Sequence, residues 1–293
     1  MTATAAGVLA LGSRVVGGAI ERLGDLQRLL SFTRGRLELV IRPDDIFISS
    51  YPRSGTTWMQ QIMYQLTTEG EMGFDHICQV APWFERSLAV GALTAAELNA
   101  LPSPRIFKSH LPYRWLPRGA RYVYVVRDGR DVAVSYYQFY RSHLRFDGGF
   151  EQFYRRFLAG DLQYGSWFKH VAGWEAQRDN PRVLIVRFED LGQRFAHEVH
   201  RIAGFLETAL EPALLDRVAQ RCSFEFMKRH ESKFDFATEF LLQRGYSGQG
   251  FLRQGRVGQG TRLSGGQRDA FERRARRPRP LAELELDLPR FLH

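Results

Sequence analysis

The sequence predicts an α/β fold in a single domain, a parallel β-sheet flanked by helices. Three observations carry that expectation. Four short apolar runs, at 46–50, 105–108, 122–126 and 183–186, each give way to a polar, turn-rich segment or a stretch of helical spacing. The third, Tyr122-Val123-Tyr124-Val125-Val126, is apolar or aromatic at every position, as a strand buried on both faces requires. The composition, 44% hydrophobic and 25% charged over 293 residues, is that of a globular chain and argues against disorder, collagen and a coiled coil.

Each element has its own signal. Val8, Leu11, Val15, Ala19, Leu23, Leu26 and Leu30 recur three or four apart and predict an amphipathic helix packed on the domain. Arg42-Pro43-Asp44-Asp45 ends that region. Ile46–Ser50 then reads as a strand, Tyr51–Thr56 as a turn-rich loop, and Thr57–Leu66 as a helix with Trp58, Ile62 and Leu66 on one face. A second strand, Arg105–Lys108, ends at Ser109-His110. The third ends at Arg127-Asp128-Gly129, and Asp131–His143 follows as helix. Val183–Val186 is the fourth strand, with one helix from Glu189 to about Phe205. From Ser232 to Gly266 periodicity fails and glycines are scattered, which predicts a lid or binding loop. The arginines at 273, 274, 276, 277 and 279 read as a solvated charge run. The organisation expected is an N-terminal helical segment (1–42), an α/β domain (43–270) and a basic tail (271–293).

A net charge of +9 admits nucleic acid, a membrane surface or a small polyanion as partner. Only four of the 41 basic residues are lysines, an arginine bias that fits a GC-rich, bacterial-looking source. Cys78 and Cys222 are too few for a disulfide framework or a cysteine zinc site, and a reducing compartment fits. No uncharged apolar run approaches the ~18–20 residues of a spanning helix. Thr2–Leu11 lacks a basic start and makes a poor signal peptide. A cytoplasmic location is expected, with peripheral membrane contact by the first helix or the arginine tail left open.

Three segments carry chemistry. In Tyr51-Pro52-Arg53-Ser54-Gly55-Thr56-Thr57-Trp58, a strand enters a helix through a glycine loop, which aims backbone N–H groups and the helix dipole at an anion. The pattern lacks the Walker A lysine. Lys108-Ser109-His110 stands at a strand's C-terminal end, where open α/β sheets bind ligands and where a histidine can take a proton from a hydroxyl. In the segment Val126–Tyr137, Arg127 and Ser135 are placed to meet a second phosphate. There Arg130 pairs with a neighbouring acid, and Asp128 and Asp131 read as helix N-terminal charge. No Walker B aspartate or metal-ligand cluster is apparent, so no metal is implied.

In combination these segments resemble the cytosolic sulfotransferase family, which uses 3′-phosphoadenosine 5′-phosphosulfate (PAPS) and has a P-loop-like sheet. Residues 51–58 match its 5′-phosphosulfate loop, 108–112 its catalytic-histidine segment and 126–137 its 3′-phosphate element. Cys222-Ser223-Phe224-Glu225-Phe226-Met227 matches a segment near the adenine, and Phe251-Leu252-Arg253-Gln254-Gly255-Arg256-Val257-Gly258 the family's F-x-R-K-G-x-x-G. The resemblance implies that Arg53, Ser54, Gly55, Thr56 and Thr57 hold the 5′ phosphosulfate. Trp58, Ser223 and Phe224 would serve the adenine, and Arg127, Ser135, Arg253, Gln254 and Gly255 the 3′ phosphate. His110 would be the general base, and Lys108, with Arg53, would steady the transferring group. PAP would be the product and a small-molecule hydroxyl the acceptor, with no nucleic acid involved.

The sequence departs from the family at Arg53, where many members have lysine, and at Cys222, Phe188 and the segment after Gly258. The family's dimerisation motif is not recognisable, which leaves the oligomeric state open. Trp83, Phe84, Tyr113, Phe139, Tyr140 and Phe146 are acceptor-pocket or core residues. A P-loop small-molecule or nucleotide kinase and a non-catalytic basic binding module are the competing readings.

Overall fold

The computed structural model describes residues 3–235, 250–253 and 255–276. Gln254, residues 236–249 of the expected lid, and Arg277 and Arg279 of the arginine run lie outside the described residues. The chain divides into two compact units, one formed by residues up to Val40 with Phe84–Leu101, the other by Ile41–Trp83 with the chain from Pro102 on.

The first unit contains α1 (Ala3–Glu38), α4 (Phe84–Val90) and α5 (Ala95–Ala100). Helix α1 is longer than its periodicity suggested. Its buried face also differs from the expected one: Phe32 is buried, as is Leu39 just past its end, whereas Leu23, Leu26 and Leu30 of the expected stripe are exposed. Phe32 meets Phe84 edge-on at 5.8 Å, which makes Phe84 core. At Gly35 the helices approach so closely that a Cβ would lie 2.7 Å from Leu88 Cδ2. No helix among the described residues is long and apolar enough to cross a membrane.

The second unit holds the sheet. Strands β1 (Ile46–Ser50), β2 (Ile106–Ser109), β3 (Arg121–Val126) and β4 (Val183–Arg187) pair in the order β2-β1-β3-β4, all parallel, as expected. The apolar runs sort into two faces by the two-residue period of a strand. Ile46, Ile48, Ile106, Val123 and Val125 face an aliphatic core with Met59, Ile62 and Leu66 of α2 (Thr56–Thr67), Val199 and Ile202 of α10 (Phe195–Leu206), and Val218 of α11 (Pro212–Arg221). The alternate residues build an aromatic layer: Phe47 stacks on Phe107 at 4.8 Å and Tyr124 on Trp174 at 4.8 Å, the latter from α8 (Trp167–Glu175).

Because all strands are parallel, Ser50, Ser109, Val126 and Arg187 end at one edge, where the loops before α2 and α6 (Gly129–His143) begin. Beyond β4 the expected single helix is two, α9 (Phe188–Gln193) and α10, broken at Arg194 (φ −135°, ψ 45°). The break turns the chain so that Phe188 and Phe195, from different helices, both reach Trp58, at 5.6 and 6.0 Å. A helix over Gly265–Arg276 runs into the supposed tail. Its Phe271 packs on Trp167 and Phe168, and Arg274 donates to the Leu158 carbonyl at 3.2 Å and lies over Phe168. Arg274 is thus anchored, whereas Arg273 and Arg276 are exposed, as a solvated run would be.

Candidate active site

At the C-terminal edge of the sheet the phosphate-type loop takes the backbone its residues allow. Gly55 has φ +103° and caps α2; a Cβ there would sit 2.6 Å from Phe188 Cδ2. Arg53 is also left-handed, at φ 69°. Ser54 Oγ is buried and makes no hydrogen bond among the described residues, and the same holds for Arg127 Nε. Thr56 and Thr57 are buried in the first turn of α2, with Thr56 Oγ1 bonded to Ser50 Oγ. The Trp58 indole donates to the Cys222 carbonyl at 2.7 Å, which ties this loop to the 222–224 segment.

Three guanidinium groups gather beside the loop. Arg53 donates to Ser135 Oγ at 3.4 Å and to the Phe251 carbonyl at 3.0 Å, between the rings of Phe139 and Phe251. These hydrogen bonds therefore run to Ser135, expected at the 3′ phosphate, and to the segment bearing Arg253, and not to Lys108 or His110. Arg127 donates to the carbonyls of Arg53 (3.2 Å) and Arg256 (2.9 Å) and lies over Phe188. Arg253 donates to Gln259 Oε1 at 3.0 Å. Burial, and then the like charges of Arg127 and Arg253, push the Arg53 guanidinium down to about 10. Burial also lowers Arg127, against the pull of Asp131. Such a cluster is costly by itself and is relieved by an anion, which fits the orphaned donors of Ser54 and Arg127.

Asp131 has a larger part than helix N-terminal charge. Its carboxylate accepts from the backbone of Gly258 (2.8 Å) and Gly260 (2.6 Å) and pairs with Arg127 at 3.4 Å. It thereby latches the segment bearing Arg253 and Gly255 onto α6. Asp128 does act as a helix cap, accepting from the Arg130 N–H and pairing with the Arg130 side chain. Ser223 likewise caps α12 (Phe224–Arg229), accepting from the Phe226 N–H and donating to the Gln220 carbonyl. Phe224 packs on Gly255 (φ +59°), where a Cβ would meet its Cδ2 at 2.7 Å.

His110 lies just beyond β2 and is buried. Its Nδ1 is 2.8 Å from the Ser50 carbonyl, which can only accept, so Nδ1 carries the proton and the lone pair is on Nε2. Burial first, then the Lys108 charge, hold the ring well below its usual pKa. Lys108 is buried with Nζ 3.9 Å from the centre of the Trp83 ring, and that ring meets His110 edge-on at 5.1 Å. Of the six aromatic candidates, Trp83 and Phe139 touch site residues. Tyr113 packs on Tyr122 and Trp174, Tyr140 and Phe146 pack on Phe153, and Phe84 is core of the other unit.

Three further buried histidines, His76, His143 and His170, escaped the sequence reading. His170 joins the His110 main chain, and His143 stacks on Phe139 at 4.7 Å; burial lowers each to about 4. A histidine depressed in the folded state contributes stability that is full above the unfolded value near 6.5 and is lost as the pH falls through about 4. Melting temperature is therefore expected to drop steeply between those limits, with His170 alone accounting for on the order of 3 kcal/mol. A melting temperature flat across that window, followed by differential scanning fluorimetry, would contradict the assignment.

A sulfotransferase domain model matches residues 43–263. The chain belongs to the sulfotransferase family. It is 36% identical over 227 residues to mouse sulfotransferase 1B1, covering 74% of this chain and 76% of that one. It is 38% identical over 205 residues to human sulfotransferase 1E1, covering 65% and 68%. These relatives are animal proteins and lend no support to a bacterial source. Among solved structures, mouse sulfotransferase SULT7A1 complexed with PAP matches with a TM-score of 0.68 at 25% identity, covering 85% of this chain and 88% of that one. Retinol dehydratase in complex with androsterone and PAP shares the fold, with a TM-score of 0.73 at 22% identity, over 90% and 88%. The protein is thus a sulfotransferase enzyme, and the kinase and binding-module readings fall away.

Proposed function

We propose that this sulfotransferase moves a sulfuryl group from PAPS to a hydroxyl of a small-molecule acceptor, with His110 as general base. The observation that supports this most is the His110 ring, buried just beyond β2 with its Nδ1–H given to the Ser50 carbonyl, where burial and then the Lys108 charge lower its pKa and favour the neutral base. PAPS supplies an activated sulfuryl group on a good leaving phosphate. His110 Nε2 takes the acceptor's proton as the acceptor oxygen bonds to sulfur and the bond from sulfur to the phosphate oxygen breaks, releasing PAP. Lys108 offsets negative charge on the sulfuryl oxygens. Arg53, Arg127 and Arg253, with the hydroxyls of Ser54, Thr56, Thr57 and Ser135 and the backbone at Gly55 and Gly255, hold the donor's anionic groups. Trp58, Phe224 and Ser223 serve the adenine. Arrangement and charge stabilisation supply most of the rate, as in phosphoryl transfer. Cys78 and Cys222 are not joined in a disulfide, which fits the cytoplasmic location.

The first test is a melting curve with adenosine 3′,5′-bisphosphate, which is PAP itself. At a hundredfold excess over Kd the ligand is expected to add ~2.7 kcal/mol, a rise of several degrees. No shift at millimolar ligand would count against the donor assignment. A screen of phenols, alcohols and hydroxylated lipids with labelled PAPS then identifies the acceptor.

A further inference from the structure

The residue after β2 must do two things at once. Its ring has to meet the acceptor, and its main chain leaves the sheet ladder in a buried place. We propose that His170 is a positioning residue for the general base, acting through the main-chain carbonyl of His110; this rests on the reading of His110 as the base.

The chain turns away from the sheet over 109–111, so its polar groups need other partners. Leu111 N–H donates to Ser109 Oγ at 3.0 Å, and the Leu111 carbonyl accepts from Ser49 Oγ at 2.9 Å and Trp174 Nε1 at 3.3 Å. The His110 carbonyl accepts from His170 Nε2 at 3.0 Å. A carbonyl cannot donate, so Nε2 carries the His170 proton and Nδ1 is the acceptor. Tyr124 on β3 donates its hydroxyl to that Nδ1 at 2.9 Å, which selects the tautomer. The His170 ring is buried, 1% exposed, and wedged edge-on against Tyr51 at 5.6 Å.

The result is a continuous chain. Tyr124 orients His170, His170 holds the His110 peptide, and the His110 ring is aimed by the Ser50 carbonyl. Ser50 Oγ continues it to Thr56 at the head of α2. The base is therefore steered at two points, the ring by Ser50 and the main chain by His170. Turning the peptide at 110 would carry the ring off the Ser50 carbonyl. Among the described residues, this is the hydrogen-bonded route by which His170 reaches the chemistry.

Turnover with labelled PAPS and the best acceptor from the screen tests this, in His170→Ala, His170→Gln, His110→Ala and the His110→Ala/His170→Ala double variant. His170→Ala is expected to lower kcat ~10–100-fold, the cost of a misplaced group, while the melting shift with PAP is kept. His170→Gln, whose amide can donate to the same carbonyl, should restore most of the loss. In the His110→Ala background the His170 substitution should cost nothing more, because its effect passes through the base. A folded His170→Ala with kcat within twofold of wild type overturns the proposal, and so does an undiminished cost in the double variant. If His170→Ala does not fold, Tyr124→Phe takes its place: a ~3–10-fold loss of kcat that vanishes in the His110→Ala background supports the proposal, and no loss refutes it. Wild-type turnover by His110→Ala would instead defeat the reading of His110 as base.

Discussion

Replacing His110 with alanine is expected to slow sulfuryl transfer ~10²–10⁴-fold, the usual worth of a general base. Donor binding should survive, because Arg53, Arg127 and Arg253 are held by Ser135, Asp131, Gln259 and the carbonyls of Arg53, Phe251 and Arg256. The ring's contacts include the Ser50 carbonyl at 2.8 Å and the edges of Trp83 and Tyr164. Losing it leaves a buried carbonyl without that donor, a cost of ~1–3 kcal/mol, so kinetics belong well below the melting temperature. The pH profile is a second check. With burial and Lys108 holding the ring below its ordinary 6.5, the active neutral form persists through neutral pH, and kcat should fall only on the acid side of 6.5. A half-maximal point above 6.5, or wild-type turnover from the purified variant, would remove His110 from the proposed role.

Sequence made the sheet and its active edge legible for a physical reason. Strands buried on both faces are near-continuous apolar runs, and each ended at a residue that breaks the pattern, Ser109-His110 or Arg127-Asp128-Gly129. Which residues of a run face which layer follows from its period, which is why Tyr122 and Tyr124 sit with Phe47 and Trp174 rather than among the aliphatics. Contacts made at long sequence separation were not legible. Asp131 is 127 residues from Gly258, and locally it is only an acid in a helix's first turn. His170 lies in a helix with ordinary spacing, and nothing local shows that its ring reaches a carbonyl 60 residues away. The first helix misled because a leucine stripe tells that a face is apolar, not that this molecule covers it; Phe32, on another face, is the buried one. The separation of α9 from α10 turns on two phenylalanines reaching one tryptophan, a tertiary cause.

At the opposite end of the strands, Arg105→Ala is expected to cost ~3–5 kcal/mol of stability, the penalty for stranding one member of a buried ion pair. Arg105 Nε and Nη2 donate to the two oxygens of Asp45 at 2.7 and 2.5 Å, and both side chains are fully buried. Asp45 also accepts from the Arg42 N–H at 2.8 Å, so its carboxylate is already committed to the turn before β1. The main chain of the same two residues starts the sheet: Ile46 N–H donates to the Arg105 carbonyl and Arg121 N–H to the Asp45 carbonyl, each at 2.8 Å. The pair therefore aligns β1, β2 and β3 at their first residues, while the chemistry sits at their last. Stability and catalysis should separate accordingly. Denaturant unfolding of Arg105→Ala should show the midpoint falling sharply, whereas kcat at a temperature where it is folded should stay within a few-fold of wild type. Removing both charges, as Asp45→Leu/Arg105→Met, should recover much of the loss, because desolvating two ions nearly offsets their attraction. A single variant as stable as wild type, or a double variant no better than the single, would show that the pair is not what holds the strand starts in register.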